Sequence, residues 1–206
     1  MGRLSPRRGR ATTRRGRLGL SAGSGQLQGA RQVSSRHCDP RPAGVVADLI
    51  VIHGISLPPG KFGGPYIDQL FTGRLDPAGH PFFRDVAGLK VSSHLLIRRT
   101  GEVVQYVPVH RRAWHAGRSR YQGRERCNDF SVGIELEGTD DRPYTGAQYR
   151  RLATVIRVLR RGMPSLATAA VVGHSDVAPG RKTDPGPAFD WPRLRKLLVP
   201  RTRRHR

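Results

Sequence analysis

The chain has 206 residues, enough for one substantial domain and hardly for two. Its 36% hydrophobic content excludes full disorder, and two cysteines exclude a disulfide-stapled scaffold or a Cys-rich zinc module. No apolar run approaches the roughly 18–20 residues of a membrane span.

The formal charge of +22 is unevenly spread. Residues 1–36 hold nine arginines and no acid, and residues 193–206 hold seven basic residues and no acid. A globular middle therefore sits between two cationic ends. The Arg/Gly/Ser-rich start lacks helical or strand periodicity and is expected to be disordered to about residue 25. It also lacks the apolar stretch of a secretory signal, so it reads as a solvated tail or as translation from an upstream start. The RTRRHR end reads the same way.

Residues 47–53 (ADLIVIH) form an apolar run of buried-strand length that ends in histidine. A turn-rich loop follows, and Pro65 opens a short helix over 66–71. Residues 91–98 and 102–107, joined by Arg-Thr-Gly, read as a hairpin. Over 130–138 (FSVGIELEG) the alternation turns Val132, Ile134 and Leu136 to a core and Gly133, Glu135 and Glu137 the other way. Thr145 and Gln148 make a capping box, and Tyr149, Leu152, Val155, Ile156 and Leu159 recur at helical spacing until Gly162 and Pro164. Residues 169–173 are another buried strand, delivering His174. Asp190 starts a last helix with Leu194, Leu197 and Leu198 inward. These elements predict an α/β (α+β) single domain with a mixed sheet flanked by helices.

Of eight histidines, His53, His94, His115 and His174 are of interest, and His53 and His174 each end an apolar strand. Asp184 comes ten residues after His174, stiffened by Pro185-Gly186-Pro187. Two imidazoles and a carboxylate suit Zn²⁺ with a fourth position left for water; rim histidines equally suit surface hydrogen bonding. Glu135 and Glu137 share a strand face, read either as a solvent-facing polar side or as a carboxylate aimed into a cleft as general base. Lys182 is close enough in sequence to place an ammonium near Asp184, or is one more basic residue. Cys127 is a candidate thiol nucleophile or a small packed cysteine. No nucleophile elbow, Walker loop or HExxH helix occurs.

Together, VIHGISLPPGKFGGPYIDQLFTG (51–73), HPFFRDVAGLKVSSHLLIRRTGEVVQYVP (80–108), RAWHAGRSRYQGRERCNDFSVGIELEGTD (112–140) and GHSDVAPGRKTDPGPAFDW (173–191) resemble the AmpD-type 1,6-anhydro-N-acetylmuramoyl-L-alanine amidases. These belong to the zinc amidases related to T7 lysozyme and peptidoglycan-recognition proteins. The resemblance covers roughly 30–200, which it implies is a zinc amidase domain; the disordered Arg-rich tail over 1–29, which has no counterpart in the family, and the basic tail over 201–206 are read from composition. It implies His53, His174 and Asp184 as zinc ligands, Glu135 as catalytic acid/base and Lys182 as the lysine that stabilises the transition state. The activity implied is cleavage of the lactyl–L-alanine amide of anhydro-muropeptides in cytoplasmic peptidoglycan recycling, which limits β-lactamase induction.

Arg126, Lys90 and Arg98 are the candidates to pair with carboxylates of the peptide stem. Two positions depart from the family: Gly54 stands where Asn is usual, and Lys90 where Arg is common. The expected partner is a small-molecule muropeptide, with no specific nucleic acid and no membrane, and the protein is expected to be a monomer. A binding module of the peptidoglycan-recognition type is disfavoured because every ligand position and Glu135 are filled. Nucleic-acid binding is disfavoured because the charge lies in patternless ends without a binding motif.

Overall fold

The computed structural model describes residues 18–199; residues 1–17 and 200–206, and with them most of the expected basic tails, lie outside the described residues. A six-stranded mixed sheet has the order Ala170–Gly173, Leu49–Ile55, Ser131–Glu137, Leu95–Ile97, Val103–Gln105, Arg31–Gln32. The first four strands run parallel to one another. Leu95–Ile97 and Val103–Gln105 form the expected antiparallel hairpin, and Arg31–Gln32 adds in parallel at the edge. No helix among the described residues is long and apolar enough to cross a membrane.

Alternation along the central strands sorts side chains to two faces. Ile50, Ile52, Val132, Ile134 and Leu136 pack against Tyr149, Leu152, Val155, Ile156 and Leu159 of the helix Gly146–Gly162. That helix begins with the expected capping box: the Gln148 amide N–H donates to Thr145 Oγ1, and Gln148 Oε1 accepts from the Thr145 N–H. Gln148 Nε2 also donates to the carbonyls of Ile97 and Glu137, tying the helix start to the ends of two strands. The helix Trp191–Leu198, capped by Asp190, packs Leu194 into the same layer.

The opposite face is covered as well, by the loop region leading to residue 130 and by the helix Tyr66–Phe71. Leu49 and Val51 pack there with Ala116, Cys127, Phe130 and Val177. The whole of Ser131–Glu137 is therefore buried. The expectation of a possible solvent-facing side on this strand is corrected, because alternation of residue type alone does not reveal a loop folded over the polar face.

The structure also differs from the sequence reading near the start. Residues 18–29, placed in the tail by their Gly/Ser composition, carry a small hairpin of Gly19–Leu20 and Leu27–Gln28. Leu18 and Leu27 are buried in the main core, and the Leu27 N–H donates to Gln105 Oε1 at 2.6 Å. Two anchoring leucines nine positions apart leave no periodicity to read. Leu27→Ala should accordingly destabilise the protein by about 2–5 kcal/mol in denaturant unfolding, as expected for a buried leucine.

Candidate metal centre and amide-hydrolysing site

The parallel register brings the chemistry-bearing residues together. Glu135 pairs with His53 across neighbouring strands, so the two side chains leave the same face. On the other side of His53, Gly173 pairs with Ile52, which sets His174, the next residue, level with His53. A short helical turn, His174–Val177, begins there. Asp184 is carried back to it by a loop whose carbonyl accepts from the Ser175 N–H at 3.0 Å. Tyr144 donates its hydroxyl to the Pro185 carbonyl at 2.9 Å and holds the far side of that loop.

The result is a compact triangle. His53 Nδ1 and His174 Nδ1 are 3.0 Å apart, and Asp184 Oδ2 lies 3.2 Å from the first and 3.1 Å from the second. Four ligands at about 2.0–2.1 Å in a tetrahedron lie roughly 3.3 Å from one another. His174 Nε2 sits 3.2 Å from the Ala116 carbonyl, which only accepts, so a neutral ring keeps its proton there and turns a lone pair toward the triangle. Lone pair and carboxylate converge on one point, a donor set suited to a metal ion. Burial pushes the His53 imidazole down to about 4, the Asp184 hydrogen bond opposing, so that ring is neutral at pH 7.

Glu135 stands beside this triangle, 6% exposed. Its carboxyl is raised well above its ordinary value, first by burial and then by Asp184, with Lys182 opposing. Lys182 is exposed, on the loop between His174 and Asp184, and its charge reaches both Glu135 and His53. The expected set His53, His174, Asp184, Glu135 and Lys182 is thus brought to one place.

The stem-pairing candidates separate. Arg126 is exposed, paired with Asp129 at 3.3 Å, and shares a pocket with Arg118, Arg120 and Arg181. Lys90 is exposed. Arg98 is 7% exposed, and its guanidinium is taken up by the Gly64 carbonyl, Glu137 and Asp68. It is committed inside the protein, and a carboxylate from solvent would have to displace two native ones.

Glu137 is likewise internal: it accepts from the Gly63 and Arg99 N–H groups and from Arg98, holding the 62–65 loop to the sheet. Cys127 is fully buried among apolar side chains, and burial pushes its thiol up, which removes it as a nucleophile. At Gly54 the space of a β-carbon is taken by the Tyr144 hydroxyl. Sequence reasoning flagged His94 and His115 without a role. His115 Nδ1 lies 2.9 Å from His53 Nε2, a contact that no periodicity in the 108–130 loop foretells.

Residues 43–187 match the N-acetylmuramoyl-L-alanine amidase family, Amidase_2. The chain is 62% identical over 178 residues to the 1,6-anhydro-N-acetylmuramyl-L-alanine amidase AmpD of Escherichia coli K12, covering 86% of this chain and 97% of that one. It is similar to a crystal structure of a selenomethionine AmpD derivative, with a TM-score of 0.84 and 58% identity over 87% of this chain and 99% of the other. It is also similar, at 26% identity and a TM-score of 0.52 over 88% of this chain and 65% of the other, to E. coli AmiD in complex with the substrate anhydro-N-acetylmuramic acid-L-Ala-D-gamma-Glu-L-Lys.

A buried carboxylate next to Asp184 carries a stability cost. In the metal-free protein the folded Glu135 holds its proton to higher pH than the unfolded one, so stability is lost as pH rises from the unfolded value of about 4.5 through the raised folded value. Glu135→Gln should therefore raise the melting temperature of the metal-free protein. The gain should grow with pH over that window and level off above it, as followed by calorimetry.

Proposed function

Because the chain belongs to the N-acetylmuramoyl-L-alanine amidase family, we propose that the triangle of His53, His174 and Asp184 holds zinc, beside which Glu135 and Lys182 carry out amide hydrolysis. The protein cleaves the amide between the lactyl group of 1,6-anhydro-N-acetylmuramic acid and L-alanine, a step of peptidoglycan recycling. Its place is the cytoplasm, where lowering the anhydro-muropeptide level limits β-lactamase induction. The observation that carries the site assignment is the convergence of three metal-donor atoms beside a buried carboxylate in register with one of them.

Two nitrogens and one oxygen in near-tetrahedral spacing, with one position left open, favour zinc over the hard oxygen-seeking cations. When bound, zinc supplies Lewis acidity, lowering the pKa of water from about 15.7 to about 7 and polarising a carbonyl. Hydrolysis adds hydroxyl to the lactyl carbonyl carbon and a proton to the alanine nitrogen as the C–N bond breaks. Glu135 takes the proton from the attacking water and delivers it to that nitrogen. Its surroundings suit the second task, since burial and Asp184 make its carboxyl hold a proton firmly. Lys182, exposed on the loop between His174 and Asp184, balances the negative charge on the carbonyl oxygen. A donor preorganised there is worth about 2.7–4 kcal/mol of barrier.

For the peptide stem, Arg126 shares with Arg118, Arg120 and Arg181 a pocket that also borders Val177 and Ala178, next to the His174 turn, and Lys90 offers a single-point contact. The E. coli AmiD complex, named with an anhydro-muramyl tripeptide, supports a ligand of this class.

The roles separate by experiment. Ala at His53, His174 or Asp184 should remove metal and activity together. Glu135→Ala should retain metal while kcat falls about 10²–10⁴-fold. Zinc content by atomic spectroscopy and turnover of anhydro-muropeptide by mass spectrometry read both. A metal-free Glu135→Ala protein, or one with undiminished kcat, would overturn the division of labour.

A further inference from the structure

We propose that His115 is a positioning residue that, with Ser131, fixes the tautomer of His53 so that the Nδ1 lone pair of His53 points at the metal. The proposal rests on the reading of His53 as a metal ligand, with the metal taking the lone pair that faces Asp184, and follows from hydrogen bonds whose direction is set at Ser131. Ser131 Oγ lies 2.5 Å from the Cys127 carbonyl oxygen, an acceptor only, so the single hydroxyl proton is used there. Ser131 Oγ must then accept from His115 Nε2, 3.1 Å away, which places the imidazole proton of a neutral His115 on Nε2. His115 Nδ1 consequently carries a lone pair, and it stands 2.9 Å from His53 Nε2. That contact is a hydrogen bond only if His53 donates. With its proton on Nε2, a neutral His53 presents Nδ1 to His174 and Asp184 as a lone pair.

The surroundings hold this relay in place. The His115 and Ala116 N–H groups both donate to Asn128 Oδ1, at 3.0 and 2.7 Å. Arg41 donates to the carbonyls of Asn128, Asp129 and Ser131, pinning the segment that carries Cys127 and Ser131. The His115 ring lies against Gly133, where a β-carbon would come within 2.5 Å of it; the glycine in the middle of a buried strand makes the space the imidazole fills. Metal-ligating histidines commonly donate their second nitrogen to a carboxylate, a carbonyl or water. Here another imidazole takes that place, oriented in its turn by a serine.

Two measurements test the relay. In the zinc-loaded wild-type protein, ¹H–¹⁵N NMR of imidazole-labelled histidine should show His53 protonated at Nε2 and hydrogen-bonded to His115; a proton on Nδ1, or no His53–His115 hydrogen bond, overturns the proposal. The zinc assignment itself is tested separately by the metal content of His53→Ala. Zinc affinity, measured by competition with a chromophoric chelator, should weaken about 10–100-fold in His115→Phe, which keeps the ring's bulk and loses the acceptor. His115→Asn, whose Oδ1 replaces the Nδ1 lone pair, should recover most of that loss. Wild-type affinity in the Phe variant, or no recovery in the Asn variant, overturns the proposal. Should the Phe variant fail to fold, the wild-type spectrum and the affinity of the Asn variant still decide.

Discussion

Everything at the site depends on the in-register parallel pairing of Leu49–Ile55 with Ser131–Glu137 on one side and Ala170–Gly173 on the other. Side chains on a strand alternate, so slipping Ser131–Glu137 by one residue would send Glu135 into the helix-covered core and bring Ile134 to the His53–His174–Asp184 triangle. The register is fixed from that opposite face. Val132, Ile134 and Leu136 are buried against the long helix, and Gln148 ties the helix start to the Glu137 carbonyl. The apolar packing on one side of the sheet therefore sets the aim of the polar groups on the other.

That polar face is costly to bury, and the structure shows how each group is accommodated. Glu137 is matched by Arg98 and two backbone N–H groups, and it is structural. Asp184 Oδ2 lies 3.2 Å from His53 Nδ1 and 3.1 Å from His174 Nδ1, a donor set that a metal ion would satisfy. His94 accepts from the Gly133 N–H at Nδ1 and is thereby left to donate from Nε2 to the Arg111 carbonyl. Glu135 sits differently: its raised proton affinity reports a carboxylate held beside a second one and away from water. Perturbation of that kind at a cleft is what proton-transfer chemistry requires, and a protein selected for stability alone would have little use for it.

Much of this was legible in the sequence, where a local pattern encodes it. The runs at 47–53, 130–138 and 169–173 gave strands, Thr145 and Gln148 gave the helix start, and His174 follows the end of its strand; His53, expected at a strand end, instead lies buried inside Leu49–Ile55, which runs on through Gly54 and Ile55. What stayed hidden is long-range. Glu135 and Glu137 look alike in an alternating strand, and only the fold shows one at the metal triangle and the other bound to Arg98. Arg98 looks like a free cation until Asp68 and Glu137 are seen around it. The 18–29 segment reads as tail because its buried leucines are separated by Gly and Ser. His115 lies in a loop with no period at all; its signal is the unexplained glycine at 133, meaningful only once the two are in contact.

The central claim, metal-dependent hydrolysis at the lactyl–alanine bond, is tested most directly by incubating the purified protein with a 1,6-anhydro-N-acetylmuramoyl peptide and identifying products by mass spectrometry. The account predicts free anhydro-muramic acid and intact stem peptide, loss of turnover after exhaustive chelation, and recovery on stoichiometric zinc. Undiminished turnover in the chelated protein, or cleavage at any other bond, would contradict it.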